Sequence, residues 1–235
     1  MIGLRRDAGR LFTRRWVTQF GLWLGRTLPP SGGYRVAAAF AHHLPRMSPA
    51  MDRAVRSNLR HVIGCRGSDR TLDRIVDRLY LEAFCGYYEF FHNLGRGRVD
   101  VADFTPAVRL HDRTAEFIDR AHRSGRGLFI LSCHMSNFDL AGVGLSHYLP
   151  GPLQVLSIAN PEPGYAVFNQ LRSVGHGSIT PVTPTSLREA MERLEHGGFV
   201  MTAVDRPIGH FGEPVTFFGQ AAVLPTGYIR VPLRT

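Results

Sequence analysis

Three short apolar runs constrain this chain more than anything else in it: Leu128-Phe129-Ile130-Leu131, Leu153 to Ile158, and Phe199 to Val204. Each reads as a buried strand. Helical patterns lie between them. Strands alternating with helices predict an α/β architecture with a largely parallel central sheet flanked by helices. Ser186-Leu187-Arg188-Glu189 has the form of a capping box, opening a helix that ends before Gly197-Gly198.

The first half contains no such runs. Pro29-Pro30-Ser31-Gly32-Gly33 reads as a break in the chain. Beyond it, apolar spacing predicts helices over roughly 34–44, 51–63, 71–94 and 113–122, the last stopping at Gly125. In the longest, Leu72, Ile75, Leu79, Phe84, Tyr88 and Phe91 fall near one face. The expected organisation is a helical, basic, membrane-facing part over 1–124 and an α/β core over 125–235, together one structural domain. A length of 235 residues suits that size.

The excess of positive charge lies entirely within the helical part, in its first 66 residues. All 28 basic residues are arginine. Residues 1–66 hold 12 Arg against two Asp, whereas 67–126 are neutral and 127–235 carry a net charge of −1. Such an N-terminal segment seeks a polyanion, either an anionic membrane surface or a nucleic acid. Phe12, Trp16, Phe20 and Trp23 recur there at helical spacing, with Arg10, Arg14, Arg15 and Arg26 around them. A helix bearing Arg14, Arg15, Trp16 and Trp23 suits a bilayer interface. The same stripe suits packing on the protein's own core equally well. The uncharged run Trp16 to Gly25 is well short of the ~20 apolar residues that a spanning helix needs. Three cysteines, Cys65, Cys85 and Cys133, are too few for a disulfide framework and form no C-x-x-C pair for zinc.

The chemistry concentrates in Leu131-Ser132-Cys133-His134-Met135-Ser136-Asn137-Phe138-Asp139. On one continuous helix, the five-residue spacing of His134 and Asp139 would set the side chains ~140° apart. They meet only if His134 precedes a helix and Asp139 lies in its first turn. Ser136-Asn137-Phe138-Asp139 resembles a capping box, which makes Ser136 the N-cap. Helical side chains lean toward the N-terminus, so Asp139 is expected to point back at His134. A carboxylate on one imidazole nitrogen raises the basicity of the other. The result is a general base at the carboxyl end of a strand, where α/β proteins place ligands. The plainer reading is a helix-capping Asp139 and a satisfied loop histidine, and an isolated H-x-x-x-x-D pattern favours it.

Three further stretches change the weighing: Asp205-Arg206-Pro207, Pro214-Val215-Thr216-Phe217-Phe218-Gly219 and Leu224-Pro225-Thr226-Gly227. With His134 to Asp139 they resemble, in order and rough spacing, the family of bacterial lipid A acyltransferases and actinobacterial phosphatidylinositol mannoside acyltransferases. Gly125-Arg126-Gly127 is similar to the turn that precedes the histidine motif in that family. Asn169 to Gly175 is similar to its N-x-x-L-x-x-x-G segment, and Asn58-Leu59 to its N-L pair. Ser136 stands where glycine is common, and Pro232 falls where a helix would run on after Gly227.

The resemblance implies transfer of a fatty acyl group from a thioester, on acyl carrier protein or coenzyme A, to a hydroxyl of a membrane glycolipid of the lipid A precursor or phosphatidylinositol mannoside type. His134 would be the base and Asp139 would orient it. Arg172 and Asp205 match two further polar positions of the family, and with Arg206, Asn137, Thr226 and Gly227 they form the expected substrate-binding set. Phe217 and Phe218 would shape an apolar wall. Neither a bound cofactor nor a metal is expected. The expected location is peripheral, on the cytoplasmic face of the plasma (inner) membrane, with no nucleic-acid partner.

The alternative is a glycerol-phosphate or lysophospholipid acyltransferase, which shares the His–Asp motif; a G-x-x-x-[IV]-x-R block like theirs is not found mid-chain. More distant alternatives are a basic, non-enzymatic membrane- or nucleic-acid-binding protein and a metal hydrolase built on the 11 histidines. In the family the P-T-G motif is mid-domain, so a chain stopping at Thr235 predicts a C-terminally truncated core. The alternative there is a short member that closes its sheet with its N-terminal helices.

Overall fold

A computed structural model describes residues 14–64, 68–97, 108–159, 161, 163–173, 176–206 and 212–234. Arg10 and Phe12 of the aromatic stripe, and Cys65, lie outside the described residues. The chain forms two compact units, one built on the N-terminal helices and one on the sheet.

The helical unit contains α1 (Arg15–Thr27), α2 (Pro30–Met47), α3 (Pro49–Ile63) and α4 (Asp69–Gly95). Pro30 and Pro49 each open a helix, where a missing N–H costs nothing. The Ser68 side chain caps α4 by accepting from the Thr71 backbone N–H. Ala41 and Leu44 of α2 meet Leu72, Val76 and Tyr80 of α4, with Met51, Val55, Leu59 and Ile63 of α3 packed against them. Leu79, expected on the buried face of α4, is exposed instead.

The chain does break at the proline-glycine tract, but over a shorter span than its composition suggests. Only Leu28 and Pro29 are extended, and Gly32 and Gly33 lie inside α2. A Cβ on Gly33 would come within 2.0 Å of the Tyr88 ring, and one on Gly25 within 2.6 Å of the Phe91 Cβ. Glycine is present at these two positions because α1 and α2 approach α4 too closely for any side chain. The same fact decides which face of α1 is buried. Thr18 and Gly25 are inside, while Trp16 and Trp23 are 59% and 56% exposed. Phe20 stacks on Trp23 at 5.7 Å, also outside. The described residues of the stripe thus lie outside the core of their own unit. Among the described residues, no helix is long and apolar enough to cross a membrane.

The sheet unit holds four parallel strands, β1 (Leu128–Ser132), β2 (Leu153–Ser157), β3 (Gly177–Pro181) and β4 (Phe199–Ala203), in the order β1-β4-β2-β3. Three are the apolar runs of the sequence. The fourth, β3, is a mixed edge strand that no apolar run announces. The helices are α5 (Asp112–Arg123), α6 (Phe138–Tyr148), α7 (Pro163–Arg172), of which the part from Phe168 on belongs to this unit, and α8 (Pro184–Glu195). The strands alternate as buried parallel strands do. Leu156 and Val200 face a cluster with Ala190 and Leu194 of α8. Leu153 and Phe199 face the opposite cluster, with Ile118 of α5 and Leu149.

Two local expectations shift. The capping box of α8 is formed by Thr183 and Ser186, three residues before the expected one, because Pro184 suits the first helical position. After the hairpin β5 (Glu213–Phe217) and β6 (Gln220–Leu224), Gly227–Arg230 forms a short 3-10 turn where a helix was expected. Pro232 opens a second such turn, and Val231 between them is buried against the α8 face of the sheet. Phe217 and Phe218, at the hairpin tip, are exposed.

Candidate active site

Strand register builds the site. β1 and β4 are neighbours, with Leu128 opposite Phe199 and Ser132 opposite Ala203. The ladder continues one step further, as the Val204 N–H donates to the Ser132 carbonyl. His134 and Asp205 each stand two residues beyond their strand, so parallel pairing sets them side by side. The Asp205 carboxylate accepts twice from the same residue: Oδ2 from the His134 backbone N–H at 2.8 Å and Oδ1 from His134 Nδ1 at 2.7 Å. An ionised carboxylate only accepts, so Nδ1 carries a proton, and in the neutral ring Nε2 is then the nitrogen with the lone pair. Burial works to raise the Asp205 carboxyl. The hydrogen bonds from the His134 ring and backbone, with the ring's charge, outweigh burial and hold it below the ordinary carboxylate range.

Asp139 goes elsewhere. The N-cap of α6 is Asn137, not Ser136, and its side chain accepts from the Leu140 N–H. Ser136 instead takes a left-handed φ of 51° and turns the chain between His134 and the helix. Asp139 becomes the second helical residue, 8% exposed, and accepts from Arg172 Nε at 2.7 Å. The expected His134–Asp139 hydrogen bond is therefore replaced by two separate pairs, His134–Asp205 and Asp139–Arg172. Arg172 is itself well held. Its Nη1 donates to Asn169 Oδ1 at 3.2 Å and its guanidinium lies 5.4 Å from the Phe168 ring centre. An arginine so engaged ties α7 to the start of α6.

The remaining expected residues are less closely joined. Arg206 is exposed and pairs with no acid among the described residues. Thr226 makes no capping bond and Gly227 is exposed at the start of its 3-10 turn. Arg14, Arg15, Trp16 and Trp23 belong to the helical unit, all four exposed. Among the described residues, no three His, Cys, Asp or Glu side chains converge as a metal site. Asn169 was not singled out in the sequence beyond its place in a motif. The His134–Asp205 pairing had one faint signal, since each residue stands the same distance beyond the start of its own apolar run.

A histidine with a carboxylate on one nitrogen and a lone pair on the other, at the carboxyl edge of a parallel sheet, is equipment for activating a hydroxyl or a water. That geometry defines a class of enzyme and no particular member. The bacterial lipid A biosynthesis acyltransferase family matches residues 5–235, and the chain belongs to that family. It is an acyltransferase. Among curated relatives, a phosphatidylinositol mannoside acyltransferase from Mycolicibacterium smegmatis is 25% identical over 243 residues, which span 97% of this chain and 75% of that protein.

Proposed function

We propose that this acyltransferase moves a fatty acyl group from a thioester, carried by coenzyme A or acyl carrier protein, to a hydroxyl of a glycolipid, with His134 as general base. The observation that carries this reading is the Asp205 carboxylate on His134 Nδ1, which leaves Nε2 basic. The acceptor O–H gives its proton to Nε2 as its oxygen attacks the thioester carbonyl. The carbon–oxygen bond forms, the carbon–sulfur bond breaks, and the proton passes from Nε2 to the departing thiolate. Asp205 holds the tautomer and stabilises the transient imidazolium. Positioned general-base work of this kind is worth ~10²–10⁴-fold in rate.

The glycolipid acceptor is supported by the family and by the mannoside-lipid substrate in the relative's name. Attachment to an anionic bilayer is supported by the outward Trp16, Phe20 and Trp23 beside Arg14 and Arg15, and the proposal assigns it to the cytoplasmic face of the plasma membrane. Arg206, exposed next to Asp205, is placed to meet an anionic group of donor or acceptor.

The test is acyl transfer from a radiolabelled acyl thioester to mycobacterial and lipid A-type glycolipid acceptors presented in vesicles. His134→Ala is expected to abolish transfer with little loss of stability, and Asp205→Asn to lower kcat by ~10²-fold or more. Full activity in Asp205→Asn would remove the dyad. Acylation of glycerol 3-phosphate in place of both glycolipids would move the protein to the alternative substrate class.

A further inference from the structure

His134 has a second neighbour that the proton-transfer chemistry does not call on. The Phe138 ring lies 4.6 Å from the imidazole, centre to centre, with the planes 70° apart. That is the edge-to-face distance and angle that aromatic pairs prefer. The contact follows from the backbone between them. Ser136, at a φ of 51°, folds the chain back, and Asn137 caps α6 so that Phe138 is its first residue.

One hydrogen bond does not fix an imidazole. The Asp205 contact at Nδ1 pins one edge of the ring, but rotation about its two side-chain bonds still lets Nε2 swing. Nε2 is the atom that must meet the acceptor hydroxyl, and a displacement of ~1 Å at a reacting atom costs about 10²-fold in rate. A rigid ring packed beside the imidazole removes that freedom, and an aliphatic chain with more rotamers does so less well.

We infer that Phe138 is a positioning residue for the base: its ring is the wall that keeps His134 Nε2 aimed at the acceptor. Asp139 and Arg172 act one step further out. Their ion pair, 2.7 Å long with Asp139 buried, clamps the turn of α6 that begins with Phe138. Tyr148, at the other end of the helix, donates to the Val108 carbonyl at 3.0 Å. The helix is thus held at both ends, and its first residue is delivered to the histidine. On this account Asp139 matters to the reaction through Phe138, not through a proton. The inference rests on His134 being the base, and its test separates the two.

The experiment compares Phe138→Leu with Phe138→Trp in the full chain, by steady-state kinetics and by NMR of histidine labelled in its ring. The His134 signals are identified by their loss in His134→Gln. Phe138→Leu is expected to lower kcat by about 10-fold or more, with KM for donor and acceptor changed less than about twofold. Phe138→Trp is expected to restore most of the rate. The His134 ring signals should broaden or move in Phe138→Leu and stay sharp in Phe138→Trp, with both variants melting as the wild type does. Asp139→Asn should lower kcat on its own, yet add little in the Phe138→Leu background, because two mutations acting through one contact are not additive. Wild-type kcat and an unmoved His134 signal in Phe138→Leu would overturn the inference, and so would full additivity with Asp139→Asn. If His134→Ala retains activity while the His134 signal still responds to Phe138→Leu, the packing role stands and the general-base reading falls.

Discussion

The two units bury opposite kinds of residue at their closest contacts. In the sheet unit, large aliphatic and aromatic side chains are inside: Leu153, Leu156, Phe199 and Val200 are almost fully buried, and the polar groups of the site emerge at the strand ends. In the helical unit, α1 turns its glycines inward and its tryptophans outward. Amphipathicity in a strand of a covered sheet is settled by burial of volume. In α1 it is settled by backbone approach, since Gly21 and Gly25 let it lie against Phe91 of α4. A hydrophobic stripe is therefore a reliable sign of the core only where no glycine face competes for the contact.

Adding one methyl at that contact is the most direct way to break the contrast. A Cβ on Gly25 would sit 2.7 Å from the Phe91 carbonyl carbon, which is backbone and has little room to move. Gly25→Ala is expected to destabilise the helical unit by ~1–3 kcal/mol in urea melts, despite the better helix propensity of alanine. A wild-type midpoint would mean that α1 does not pack on α4 as described.

The outward face should respond in the opposite manner. Trp16→Ser with Trp23→Ser is expected to leave the melt unchanged and to lower retention on anionic vesicles by about 10-fold or more. Arg14→Gln and Arg15→Gln should each weaken binding by about 1 kcal/mol at low salt and by less as salt rises. Retention of the tryptophan double variant at wild-type levels would leave the exposed stripe without this role.

In the sheet unit the corresponding handle is acid. Asp205 ionises at a lower pH when folded than when unfolded. The folded state then binds fewer protons through the carboxylate range, so stability rises with pH there. The contribution is fully present above the unfolded carboxylate value of about 4 and is lost as pH falls through the lower folded value. Thermal melts of the wild type should drop over that window, and Asp205→Asn should flatten the drop. An identical pH profile in Asp205→Asn would show that the pair contributes nothing to folding.

The smallest expected effect lies in the turn between His134 and α6. Ser136 adopts its left-handed φ against its own side chain, a conformation that glycine reaches without strain. Ser136→Gly is expected to stabilise by about 0.5 kcal/mol, the relief of strain being partly offset by the greater flexibility of unfolded glycine. A loss of stability would point to a bond made by the serine hydroxyl in the turn.

The sequence by itself determined the helical first half and the three buried strands, and it singled out His134 as the candidate base, because these follow from local periodicity and from motifs read along the chain. It also placed Asp139 in the first turn of a helix, within one residue of its true position. It did not determine which carboxylate His134 meets. Asp139 is five residues away in the chain and Asp205 is 71, and nothing local says that β1 and β4 are neighbours. Only the strand order β1-β4-β2-β3, with Leu128 opposite Phe199, lays those two strand ends together. Likewise Gly33 of α2 reads as part of a break until α4 is packed against it, because a close approach involves two segments and a sequence pattern records one. Hydrogen-bond partners across a sheet and contacts between helix backbones are set by which elements become neighbours, and tertiary structure alone decides that.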